Sequence, residues 1–111
     1  MGLDISTKNR DYHLNWGGVS AFNEWSKENL GVDPFPSWDG GNGALVVFNK
    51  NPKDEREIRG NMKSVLDWIK AFEDYQAKEG GGEVGRFEYE VALEWYWVLK
   101  DALKHKYIGY F

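Results

Sequence analysis

The 111-residue sequence contains no cysteine. That excludes a disulfide framework, a thiolate nucleophile and a zinc–thiolate centre, and it is compatible with a reducing compartment. No apolar run approaches the roughly 20 residues that cross a bilayer as a helix, and no signal-peptide pattern opens the chain. The expectation is a soluble, cytoplasmic protein with no membrane partner. Charge of one sign is also missing. Eighteen acids and fourteen bases give a net charge of −4, and no basic stripe gathers the bases. Phosphate neutralisation by lysine and arginine is what drives nucleic-acid binding, so direct, sequence-specific nucleic-acid binding is not expected. The acidity also falls short of a DNA mimic. No Ser/His/Asp order, no distinctive carboxylate pair, no HxH or HExxH spacing and no dinucleotide fingerprint is present, so neither a metal nor another cofactor is expected.

What the sequence has in quantity is rings. Six Trp, six Tyr and six Phe make up 16% of the chain. Such side chains bury large areas and also offer flat stacking surfaces. The densest stretch is "FEYEVALEWYWVL" (87–99). On a helical wheel Phe87, Val91, Trp95, Val98 and Ala102 form one apolar face, with Tyr89, Leu93, Tyr96, Trp97 and Leu103 widening it. The helix therefore expects neighbours on several sides. Those rings beyond the capacity of one small core are expected to cover a second subunit, making a homo-oligomer, or to line a ligand pocket.

Read along the chain, "GLDIST" (2–7) alternates as a short strand with one buried face, and 8–18 reads as a polar loop. A helix capped near Ser20 carries Val19, Phe22, Trp25 and Leu30 and ends at Gly31. The prolines and glycines of "VDPFPSWDGGNG" (32–43) predict irregular structure. "ALVVFN" (44–49) predicts a buried strand, most simply paired with the first. Asn51, Pro52, Asp54 and Glu55 mark a helix start. The helix is expected to continue through Ile58, Met62, Val65, Leu66, Ile69 and Phe72, followed by a glycine loop and a final helix over 86–105. "YIGYF" is expected to pack back on the body. The sum is a single α+β domain over residues 1–111, with three helices packed on a small two- or three-stranded sheet.

Candidate binding groups are rings and guanidinium groups. Trp16, Trp38, Trp95 and Trp97 are candidate stacking platforms. Asp39 and the backbone of its glycine loop lie beside Trp38. Arg10, Arg56, Arg59 and Arg86 are candidate anion contacts, since guanidinium forks suit phosphate and also stack on rings. Asp11 and His13 form a weaker general-base candidate for a small hydrolase.

"MGLDI" and "NWGGVSAFNEW" (15–25) resemble a group of small uncharacterised phage and bacterial proteins. The matching positions are Met1 to Ile5, Gly18, Ser20, Ala21, Phe22 and Trp25, about a quarter of the chain. Many of those proteins carry an acidic "HSDCDG" segment that is absent here, so no site built on it carries over. The resemblance implies phage origin, and hence the cytoplasm of an infected host cell, but no established activity. Small motif-free phage proteins often block host defence. The function expected from rings and arginines is then non-catalytic sequestration of a small, nucleotide-derived defence signal. The alternatives are a protein-binding inhibitor of a host defence nuclease, anti-CRISPR-like and using acids such as Glu73, Asp74, Glu79 and Glu83, and the Asp11/His13 hydrolase.

Overall fold

Leu3 and Ile5 alternate with Gly2, Asp4 and Ser6, and a strand forms there, β1 (Gly2–Ser6). The computed structural model describes residues 2–35, 38, 44–48, 57–79 and 87–111. The segment read as a polar loop contains a second strand, β2 (Asp11–Asn15). Its alternation is real but subdued: Tyr12 and Leu14 face inward, while Asp11, His13 and Asn15 are exposed on the other side. The Thr7 N–H donates to the Arg10 carbonyl (2.8 Å) and closes the hairpin, which pairs Leu3 with Leu14 and Ile5 with Tyr12.

Helix α1 (Trp16–Asn29) follows directly. Its cap is Asn15, whose Oδ1 accepts from the Gly18 N–H (2.7 Å), so the helix begins four residues before the Ser20 cap expected from sequence. Asparagine and serine are about equally good caps, and the apolar spacing alone left the first turn open. Gly18 allows the helix to approach the hairpin, because a Cβ there would meet the Leu14 Cδ1 at 2.8 Å. The helix ends as predicted. Leu30 and Gly31 both donate to the Ser26 carbonyl, and Gly31 takes the left-handed conformation at φ 73°.

The remaining elements are β3 (Ala44–Phe48), β4 (Glu57–Gly60), α2 (Met62–Glu79), α3 (Phe87–His105) and β5 (Tyr107–Tyr110). The fold is α+β, but the sheet has five strands rather than two or three, in the order β2-β1-β5-β3-β4. It is mixed: β3 and β4 run parallel and the other pairs are antiparallel. The C-terminal "YIGYF" does pack back, as the central strand. By inserting between β1 and β3 it overturns their expected direct pairing. Residues 57–60, expected to be helical, form the edge strand β4 beside β3. Asn61 then caps α2, its Oδ1 accepting from the Lys63 N–H (2.9 Å). The proposed Asn51 start lies outside the described residues.

Leu3, Ile5, Leu14, Val46, Phe48, Ile108 and Tyr110 share one sheet face and belong to the same core as Phe22, Trp25, Val65, Trp68, Phe72, Trp95 and Leu99 of the helices. The opposite face carries exposed Asp4, Asp11, His13, Asn15 and Arg59. Three of the six tryptophans are interior: Trp25, Trp68 and Trp95. Burying an indole N–H calls for a partner. Trp68 Nε1 donates to the Ser26 hydroxyl (3.4 Å) and Trp95 Nε1 to the Pro34 carbonyl (2.6 Å), while the buried Trp25 Nε1 has no partner among the described residues. Leu66, placed on the apolar face of α2 by its spacing, and Phe87, placed on the inner face of α3, are instead about half exposed. Among the described residues no helix is long and apolar enough to cross a membrane.

Candidate functional site

Because α1 starts at Trp16, residues 16, 19, 20 and 23 fall at i, i+3, i+4 and i+7 and line one helix face. That face forms one wall of a cleft of about 280 Å³, lined by Trp16, Val19, Ser20, Asn23, Asp33, Phe35 and Trp38. The other wall is a turn whose conformation follows from its residues. Asp33 Oδ1 accepts from the Phe35 N–H (2.8 Å), the local turn that aspartate favours, and the Trp38 N–H reaches the Phe35 carbonyl (3.4 Å). Phe35 anchors the turn in the core, edge-on to Phe22 at 6.0 Å and to Trp95 at 5.3 Å.

Trp38, 5.6 Å from Phe35 and 5.8 Å from Tyr110, is thereby held opposite Trp16. The two indole centroids lie 6.3 Å apart with only 11° between their planes. Trp16 keeps 44% of its surface exposed. Asp33 and Asn23 are among its lining residues. The Asn23 Oδ1 is itself buried, and among the described residues it has no hydrogen-bond partner. Beneath Trp38, burial, with a smaller contribution from the Asp33 carboxylate, pushes the Tyr110 phenol well above its usual range, so the hydroxyl stays protonated at any physiological pH.

The structure divides the sequence-predicted site residues into separate groups. Trp16 and Trp38 come together. Arg10 and Trp97 meet at a different surface, with the guanidinium 5.9 Å from the ring centroid. Tyr96 lies edge-on to that ring at 5.1 Å and Lys100 sits 5.5 Å from the Tyr96 ring. Trp95 is 1% exposed and packs under the cleft against Phe22 and Phe35, so it supports the site from below and offers no platform to a ligand. Arg59 is exposed on edge strand β4, away from the indole pair's wall on α1. Asp39, Arg56 and Arg86 lie outside the described residues. Asn23 and Asp33 are not singled out by the sequence, and Ser20 only as a helix cap and a position of the resemblance. The signal for them was Asn15 as a cap, which sets the helical phase that brings 16, 20 and 23 to one face.

Asp11 and His13 do not pair. His13 Nδ1 lies 2.7 Å from Asp4 Oδ1, directly across the hairpin, and Asp11 accepts from the Ser6 hydroxyl (2.8 Å). The Ser6 hydroxyl hydrogen is thus committed to a carboxylate rather than offered to the imidazole, and His13 and Asp4 are both more than half exposed. Of the acids considered for a protein partner, Glu73, Asp74 and Glu79 lie on α2. Glu73 accepts from the Tyr96 hydroxyl (2.7 Å), Asp74 lies 3.7 Å from Lys70 within α2, and Glu83 lies outside the described residues. Among the described residues no three histidine or acidic side chains converge as metal ligands do.

The fold is α+β, with a cleft whose walls include the rings of Trp16, Phe35 and Trp38. Compared with protein-family models, with curated proteins and with solved structures, the chain matches none.

Proposed function

We propose that this protein is a non-catalytic binding protein that sequesters a small nucleotide-type ligand, its base laid against Trp16 and Trp38. In the phage setting implied by the sequence resemblance, that ligand is a nucleotide-derived defence signal. The single observation that carries the reading is the near-parallel, partly exposed indole pair on the rim of a cleft. Each base–indole stack supplies about 1–3 kcal/mol, and micromolar affinity needs about 8 kcal/mol. The indole centroids, 6.3 Å apart, leave no room for a ring between them, so an exposed indole face supplies one stack and hydrogen bonds supply the rest.

The cleft volume lies near the lower end of the roughly 300–1,000 Å³ typical of small-molecule sites. It accommodates one ring system, with sugar and phosphates outside. The Arg10–Trp97 pair is a separate surface and is not needed for this reading. A second copy of the chain, covering exposed Phe87, Trp97 or Phe111, would make the homo-oligomer expected from the ring content.

The test is titration with a nucleotide panel, followed by tryptophan fluorescence and melting temperature. A ligand that binds only the folded chain raises the melting temperature, and intact ligand recovered after heating marks sequestration rather than turnover. Trp38→Ala should abolish the response while the chain still folds. No response to any nucleotide in the wild-type protein defeats the proposal.

A further inference from the structure

We propose that two copies of this chain join through β2, the open edge of the sheet, antiparallel about a twofold axis at His13. The proposal goes beyond the ligand reading, and neither rests on the other. It starts from the backbone. β2 lies at one end of the sheet and pairs with β1 alone. In an antiparallel pair, hydrogen-bonded and non-bonded positions alternate. The Thr7 N–H bond to the Arg10 carbonyl fixes their phase. Ile5–Tyr12 and Leu3–Leu14 are then bonded positions, and Ser6–Asp11 and Asp4–His13 are not. Asp4 accordingly turns its N–H and carbonyl the other way, to Phe111 at 2.9 and 2.7 Å. By the same alternation Asp11 and His13 point theirs away from β1, and among the described residues no strand receives them.

An unpaired edge of this kind is a template for another strand, and proteins that keep it single blunt it with lysine, proline or a bulge. "DYHLN" has no lysine or proline, and its register against β1 is unbroken. What fits it is its own copy. Centring the axis on His13 overlaps all of β2, sets outward-pointing backbone groups against each other, and places Tyr12 of each copy against Leu14 of the other and Asp11 against Asn15. On the inner face a ring meets an aliphatic side chain. Phe87, 51% exposed, lies beside them, since a Cβ on Gly18 would meet Leu14 Cδ1 at 2.8 Å and Phe87 Cζ at 3.2 Å. On the outer face the Asp11 carboxylate, which only accepts, meets Asn15. The Asn15 Oδ1 is held by the Gly18 N–H, which leaves its amide hydrogens to donate. The facing imidazoles each lie 2.7 Å from their own Asp4. Over these five residues no acid faces an acid across the seam. A seam of one strand with a few rings from each copy falls at the small end of specific interfaces, so association in the micromolar range is expected.

The test is sedimentation velocity of the intact chain over roughly 5–500 µM, which brackets micromolar association. A monomer–dimer equilibrium should appear within that range. His13→Lys keeps a cation beside Asp4 in each copy but sets two ammonium groups face to face at the axis, so dimerisation should weaken at least about tenfold with the circular dichroism of the chain unchanged. The chain has no cysteine, so His13→Cys introduces a single thiol. Bonded antiparallel positions hold their Cα atoms about 5.5 Å apart, within disulfide reach, and this variant should cross-link to itself under mild oxidation. Glu28, exposed on α1, supplies the control: Glu28→Cys should cross-link more slowly.

A monomer at every concentration overturns the proposal. A folded His13→Lys chain that dimerises as tightly as wild type also overturns it, as does His13→Cys cross-linking no faster than Glu28→Cys. Either of these results with a dimer present moves the contact to another surface, such as that around exposed Trp97 or Phe111. Should His13→Lys fail to fold, the cross-linking rates decide. None of these outcomes bears on nucleotide binding at Trp16 and Trp38, so the two readings fail separately.

Discussion

Replacing Asp101 with asparagine should cost about 2 kcal/mol at neutral pH, and the cost should vanish in acid. Asp101 sits on α3 with a side chain only 10% exposed, where it clamps the tip of the β1–β2 hairpin. It accepts from the Asn9 backbone N–H (2.9 Å) and the Asn9 side-chain amide (3.1 Å). Burial by itself would raise this carboxyl's pKa. Hydrogen bonds from the Thr7 side chain and from Asn9, with His105 nearby, outweigh burial and lower the pKa from 3.8 to about 2. A group whose pKa falls on folding stabilises the native state above its unfolded pKa and loses that contribution as pH drops through the folded value. A depression of this size corresponds to about 2 kcal/mol. It is fully present at pH 5 and above, roughly halved near pH 3 and mostly gone at pH 2.

The assay is urea unfolding of wild-type and Asp101→Asn protein at pH 7, 5, 3 and 2, with equal m-values required. In a domain of this size the neutral-pH deficit corresponds to a melting temperature lower by about 6–10 °C. Equal stability of the two proteins at pH 7, or a deficit that persists unchanged at pH 2, refutes the clamp. The variant should also loosen Arg10 from Trp97, since the hairpin tip carries the guanidinium to that ring.

Three further outcomes are expected. Trp95→Ala removes a fully buried indole and strips the Pro34 carbonyl of its donor, so it should cost about 3–5 kcal/mol. Trp16→Ala, on the exposed rim, should cost under about 1 kcal/mol, and parallel thermal melts separate the two. Gly60→Ala pushes a methyl group into the Val46 and Phe48 side chains across the parallel β3–β4 pair, with an expected loss of about 1–3 kcal/mol in denaturant unfolding. Lys106 holds the left-handed position after α3 at φ 62°, where glycine is preferred, so Lys106→Gly should raise stability by up to about 1 kcal/mol.

Local signals were legible where one residue type answers one backbone need. Gly31 marked the end of α1 because a left-handed residue was required there, and the crowded 87–99 stretch predicts a helix with neighbours on several sides because its rings had to be covered. The expected bounds of 86–105 for that helix differ from the observed Phe87–His105 by one residue. Strong local signals also misled. The helix expected to run through Ile58 instead begins at Met62 after a capping asparagine. The helical spacing drawn through Ile58 ran across a strand, because four residues are too few for periodicity to separate the two structures.

What the sequence determined by itself is the class: helices long enough to be read from their apolar faces, strands marked by alternation, and more rings than one small core absorbs. What only the tertiary structure decided is which rings face water and which meet each other. Trp16 and Trp38 are 22 positions apart, and nothing local to either specifies the 6.3 Å between them. That distance depends on Phe35 wedging against Phe22 and Trp95, and on Trp38 resting on Tyr110 of the last strand. Packing of this kind depends on side chains distant in sequence filling one volume together. The candidate site therefore takes shape only once the C-terminal strand has entered the sheet.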